Sequence, residues 1–248
     1  MNERQQKERN RELINSIIGG DVDDIQYAIS RGAELTATDR MGRSVLSIAA
    51  SQGERGSVDV LIAHGADVNT RLGKHGFSPL HSGAITCNLE ACRSLLDAGA
   101  DVSAMDKEGQ TALHLLAHYS PNFRKELVDF LVERGADIHA ADSKGNTPLH
   151  HAARHSNGAV AQAFLAHGAD MEARNAKGEA PRDVFAKFLP YPGTLEAKTV
   201  FEAYDRQIQL QQVAQQSRPD DLDASEARVG SLADVDEVQA RRGRGRSM

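Results

Sequence analysis

The sequence predicts an all-α fold, a solenoid of about six stacked helix-turn-helix units joined by β-hairpin-like fingers. Two markers that run in step predict it. The first is GAEL at Gly32, GADV at Gly65 and Gly99, GADI at Gly135 and GADM at Gly168, spaced 33, 34, 36 and 33 residues apart, the period of a helical repeat. The second is GRSVLS from Gly42, GFSPLH from Gly76, GQTALH from Gly109, GNTPLH from Gly145 and a weaker GEAPRD from Gly178. Composition completes the outline. The chain is 40% hydrophobic but only 4% aromatic, with no Trp, so its core must be aliphatic.

The first unit has no TPLH-like opening. Leu13, Ile14, Ile17 and Ile18 space out one helix, Gly19-Gly20-Asp21 makes a turn, and Ile25, Ala28 and Ile29 mark a second helix leading to Gly32. Inside the array, Thr147 supplies an N-cap oxygen, Pro148 sits where its missing N–H costs nothing, and Leu149 begins an apolar face. Small residues such as Ala49, Ala50, Ala152 and Ala153 let inner helices approach closely, while Val128, Phe130 and Leu131 mark a longer outer helix. Gly65, Gly99, Gly135 and Gly168 end the outer helices as left-handed caps, and residues such as Asp137 to Asp142 form the finger to the next unit. A single unit cannot bury its apolar face alone, so stacking makes the core. At the far end, Ala180 to Phe185 keeps the opening pattern with Arg182 in place of the usual Leu, and Glu196 to Arg206 closes the array.

Two units depart from the pattern. The one opening at Gly109 is three residues longer, the excess falling at Ala117 to Phe123, where Ser120-Pro121-Asn122 reads as added loop or as a partner contact. The other carries Leu72-Gly73 where its neighbours have Asp39, Asp106 or Asp142, which predicts a looser finger. The domain plan is therefore a flexible N-terminus over 1–10, the repeat domain over 11–206, and a largely disordered tail over 207–248. That tail is Gln-rich at first, with Ile208, Leu210 and Val213 spaced for a helical extension, then acidic from Pro219 to Ala240, then Arg-Gly-rich over 241–246.

The net charge of -6 and pI near 5.9 provide no global pull toward nucleic acid or an anionic membrane. Cys87 and Cys92 lie five residues apart on different helical faces, which argues against a disulfide. No charged-then-apolar leader and no apolar run of ~18 residues occurs. A cytoplasmic protein is expected, delivered into a host cell if it is a bacterial effector, without a membrane span and monomeric.

The two in-phase markers resemble the ankyrin-repeat family over about residues 11 to 206. The resemblance implies that fingers and inner-helix ends form a concave binding face, and that His81, His114 and His150 of the TPLH-like element hydrogen-bond between neighbouring units. The face then comprises Arg40, Met41, Arg43, Ser51, Gln52, Lys74, His75, Phe77, Ile85, Thr86, Lys107, Glu108, Gln110, His118, Tyr119, Ser143, Lys144, Asn146, Arg154 and His155. Six of these are Lys or Arg and one is acidic, a bias that would steer an acidic partner. Phe77, Ile85 and Tyr119 are candidate anchors.

Ten histidines invite a metal, since His114 with His118 and His151 with His155 have four-residue spacing. The recurrence of TPLH histidines has a structural cause, however, and no further ligand set accompanies them, so no metal and no cofactor are expected. HExxH, G-x-S-x-G, a P-loop and a dinucleotide fingerprint are all absent. These observations predict a non-catalytic module, adaptor, inhibitor or effector, that binds another protein. The alternative is nucleic-acid association through basic fingers and the Arg-Gly tail. His75, His118 and His155 share the expected face, which makes binding sensitive to pH near the ordinary histidine value of ~6.5.

Overall fold

The structure is a computed structural model that describes residues 2–52, 55–119, 125–187 and 194–216. Met1–Glu202 form one compact unit and Ala203–Met248 a second; the first carries the repeat array. Among the described residues there are twelve helices, in six pairs: α1 Glu3–Gly19 with α2 Val22–Ser30, α3 Val45–Gln52 with α4 Arg55–Ala63, α5 Pro79–Ile85 with α6 Leu89–Asp97, α7 Ala112–Tyr119 with α8 Lys125–Glu133, α9 Pro148–Arg154 with α10 Gly158–Ala166, and α11 Pro181–Ala186 with α12 Thr194–Gln216. The inner helices α1, α3, α5, α7, α9 and α11 stack in succession, as do the outer helices α2, α4 and α6, and α8 on α10.

Small residues set the inner spacing. Ala49, Ala50, Ala84, Ala117, Ala152 and Ala153 are all fully buried, with Leu46, Ile48, Leu80, Leu113, Leu115, Leu116 and Leu149 filling the gaps between them. Each such Leu or Ile contributes roughly 1.5–3 kcal/mol by leaving water. The outer helices add Val58, Leu61, Leu95, Leu131 and Phe164. Aromatic residues are few, and two of them close the far end, where Phe201 packs on Phe185 with ring centroids 5.2 Å apart.

The local signals act as their chemistry requires. Asp21 accepts from the N–H groups of Asp23 and Asp24 to start α2. Asn88 caps α6 by accepting from Ala91 N–H, and its amide donates to Ala50 O of the preceding inner helix. Gly65, Gly99, Gly135 and Gly168 all take positive φ between 81° and 91°, as expected for left-handed caps.

One boundary differs from the sequence-based expectation. Helix α1 begins at Glu3, within the segment expected to be flexible, because Asn2 and Gln5 form a capping box there. Helix α12 runs on past 206 to Gln216, through the positions of Ile208, Leu210 and Val213 where the sequence spacing allowed an extension. The loop at Ser120-Pro121-Asn122 and the tail from 217, including its acidic and Arg-Gly stretches, lie outside the described residues. Cys87 and Cys92 are both buried and unpaired, and burial pushes the Cys92 thiol up to about 12.

Candidate binding face

Four of the five fingers are built on an acidic or amide side chain three residues before the finger glycine. Asp39 Oδ1 accepts from Met41 and Arg43 N–H, Asp106 Oδ1 from Glu108 and Gln110 N–H, and Asp142 Oδ1 from Lys144 and Asn146 N–H. Asn175 repeats the pattern with Lys177 and Glu179 N–H. These side chains satisfy turn backbone that would otherwise need water. In the second finger Gly73 stands in that register and cannot do so. This finger is not left loose: Lys107 of the next finger donates its backbone N–H to His75 O and its ammonium to Gly73 O and Lys74 O. The same backbone bond recurs along the array, from Ser143 N–H to Glu108 O and from Ala176 N–H to Lys144 O.

The TPLH histidines lock one unit to the next, as the family resemblance implied. His114 Nδ1 accepts from Thr111 N–H and O–H, at 3.1 and 2.9 Å, and its Nε2–H donates to Asn146 O at 3.0 Å. His81 bridges Ser78 to Gln110 O, and His150 bridges Thr147 to Glu179 O, in the same way. A backbone N–H at Nδ1 and a carbonyl at Nε2 admit only the neutral Nε2–H tautomer. Burial lowers the pKa of all three, His114 to about 4 with the help of its neighbour His151. The expected N-cap oxygen of Thr147 is therefore spent on the His150 ring, which in turn takes up the Thr147 N–H.

The structure gathers nine of the sequence-derived candidates around one cleft of about 240 Å³: His75, Phe77, Glu108, Gln110, His118, Lys144, Asn146, Arg154 and His155. His118, on α7, and His155, the C-cap of α9, place their ring centroids 4.0 Å apart. Arg40, Met41, Arg43, Lys74, Lys107 and Ile85 lie elsewhere on the fingers and inner-helix ends. The backbone of Tyr119 ends α7, and its side chain lies outside the described residues. Phe77 is not a projecting anchor: it is half-buried and stacked between His75 and His81, 5.2 and 5.9 Å away. Met41 is the most exposed large apolar side chain among the described residues, at 71%.

The basic character of the face is narrower than the residue list suggests. Arg43 is paired with Asp39 at 2.7 Å, and Lys107 is engaged with finger carbonyls. Arg40, Lys74, Lys144 and Arg154 are exposed and their charged groups meet no partner among the described residues. The sequence reading missed Asp106, Asp142 and His151, which also line the cleft. His151 Nε2 lies 2.9 Å from Asp142 Oδ2, both nearly buried. Burial pushes the Asp142 carboxyl up, but hydrogen bonds from His151, Asn146 and Lys144 N–H outweigh it and hold the pKa below the ordinary carboxylate value. An adjoining cleft of about 370 Å³ shares Lys144, Asn146, His151 and Arg154 and extends to Asn175, Lys177, Glu179 and Lys187 of the last unit. Their signal was available, since Asn175 and Lys177 hold the register of Asp142 and Lys144.

A wider groove of about 1050 Å³ runs along α1 and α2. Its walls alternate charge, as in the Glu3–Lys7 pair, and it stands apart from the fingers. Among the described residues no three His, Cys, Asp or Glu side chains are placed to hold a metal ion, and no helix is long and apolar enough to cross a membrane.

Comparison with known proteins places these features in a family. The family model described as ankyrin repeats (3 copies) matches residues 13–106 and 88–175. The chain is 33% identical over 103 residues, 42% of its length, to 35% of an ankyrin repeat-containing protein of Treponema pallidum. It is 45% identical over 76 residues, 30% of its length, to 18% of human ankyrin repeat and SOCS box protein 6. Protein PhlB of Serratia liquefaciens is 32% identical over 102 residues, 41% of this chain and 45% of that protein. In each case the match spans less than half of the relative.

Proposed function

The chain belongs to the ankyrin-repeat family, and we propose that it works as a non-catalytic module that binds a partner protein, acidic at the contact, through its fingers and inner-helix ends. Ankyrin repeats generally mediate protein-protein interaction, and that supports the coarse reading. One observation carries the finer one. Along the finger face the carboxylates of Asp39, Asp106 and Asp142 are turned onto their own turns, whereas Arg40, Lys74, Lys144 and Arg154 are exposed without an ion-pair partner among the described residues. On a chain of net charge -6, this leaves the positive potential where a partner would dock. The proposal includes action as a monomer in the cytoplasm. Affinity capture from the source cell tests it, with the protein compared against a variant carrying Arg40, Lys74, Lys144 and Arg154 all as Ala. A specific partner retained by the native chain and lost by the variant supports the reading. An unchanged captured set contradicts it.

A further inference from the structure

We propose that the cleft between α7 and α9 takes a single Asp or Glu side chain of the partner, held by Lys144 and Arg154 and by a proton that His118 and His155 acquire as it binds. The proposal rests on the protein-binding reading above and deepens it. Two exposed cations converge on the cleft without ion-pair partners among the described residues, so the site has charge to offer. Its carboxylates are largely committed: Asp106 accepts from Glu108 and Gln110 N–H, and Asp142 accepts from His151, Lys144 and Asn146. Glu108 alone is loosely engaged, with Gln110 Nε2 at 3.4 Å.

The imidazole pair supplies the coupling. With centroids 4.0 Å apart, two imidazolium charges would repel each other unless an anion lies between or above them. The groups that face the pair explain its resting state. His155, though exposed, is held down to about 4 by partial desolvation of its ring, by His118, by His151 and by Arg154. His118 is held down by burial, His151 and Arg154, against which Glu108 of the third finger acts. A carboxylate seated beside Arg154 reverses the balance for both rings, so binding and proton uptake must favour one another. The size of the cleft, about 240 Å³, suits one side-chain head group. Three carboxylates in its walls, Asp106, Glu108 and Asp142, disfavour a dianionic phosphate relative to a monoanionic carboxylate.

The test uses the full chain and a decapeptide of alternating Glu and Asp, with its Gln-Asn counterpart, a phosphoserine peptide and poly-uridine as comparison probes. Calorimetric titration at about pH 7.5 and about pH 6 should show the acidic peptide binding several-fold tighter at the lower pH, with proton uptake revealed by buffers of different ionisation enthalpy. Lys144→Ala with Arg154→Ala should weaken it about tenfold. His155→Gln should leave binding near pH 7.5 in place and remove most of its pH dependence. The inference is overturned if the Gln-Asn peptide binds equally, if the double variant binds as well as the native chain, if tightening at low pH survives His155→Gln, or if the phosphopeptide or poly-uridine binds more tightly. A natural partner captured undiminished by the Lys144→Ala/Arg154→Ala chain, but lost when Arg40 and Lys74 are also changed, overturns this cleft alone and leaves the finger-face reading standing.

Discussion

His151 Nε2 donates to Asp142 Oδ2 at 2.9 Å, tying α9 to the finger that leads into it. The same carboxylate accepts from two finger N–H groups, so one side chain closes the turn and anchors it to the helix behind. Removing it leaves a nearly buried imidazole and two backbone donors unsatisfied. Asp142→Ala should cost about 3 kcal/mol, read as a lower urea midpoint. Asp39→Ala removes the equivalent turn from a more open site without the buried histidine, and should cost about 1 kcal/mol. Equal losses would mean that the His151 contact contributes nothing.

Acid should destabilise the array well above the carboxylate range. The folded chain refuses a proton at His114 until about 4, whereas an unfolded histidine takes one near ~6.5. The contribution is thus fully present above ~6.5 and is lost as pH falls from there toward about 4. At ~1.4 kcal/mol per pH unit, His114 alone accounts for a loss on the order of 3 kcal/mol, and the lowered values of His81 and His150 act in the same direction. Urea titrations at about pH 7.5 and about pH 5 should show a large fall in midpoint. A midpoint that stays level would contradict the locked-tautomer account.

Gly145 and Gly178 share a φ of 73°, yet they should respond differently to alanine. A Cβ at Gly145 would lie 2.8 Å from Ala176 N, in the backbone of the next finger, while one at Gly178 meets nothing within 4 Å. Gly178→Ala should cost only the left-handed backbone penalty, ~1 kcal/mol. Gly145→Ala should cost at least twice that, because it also pushes apart the fingers joined by Ala176 N–H and Lys144 O. Thermal melts of the two variants decide the point.

The fold was legible because two markers recur in phase, and each reflects a local requirement, a left-handed cap or a helix start, that any unit must meet. The binding face was legible only in part. Register placed Lys144, Arg154, His118 and His155 on one expected face, and they line a single cleft, but register could not show that Arg43 and Lys107 are already engaged. Asp106, Asp142 and His151 escaped because their neighbours in sequence explain them as turn or helix residues; only the stacking of units turns them toward the same space. Phe77 read as an anchor because nothing in one dimension reveals that His75 and His81 enclose it. The helix at residues 3–10 was missed for a different reason: its cap, Asn2 with Gln5, is a purely polar signal ahead of the first apolar position.

The central claim is that the finger face, and not the outer-helix face, meets the partner. The most direct measurement places a photo-crosslinking residue at Asn146, on the finger face, and separately at Gln162, exposed on α10, and compares the crosslinked products in the source cell. The account predicts a discrete protein adduct from position 146, diminished by Lys144→Ala with Arg154→Ala, and none from position 162. An adduct from position 162 with none from position 146 would contradict it.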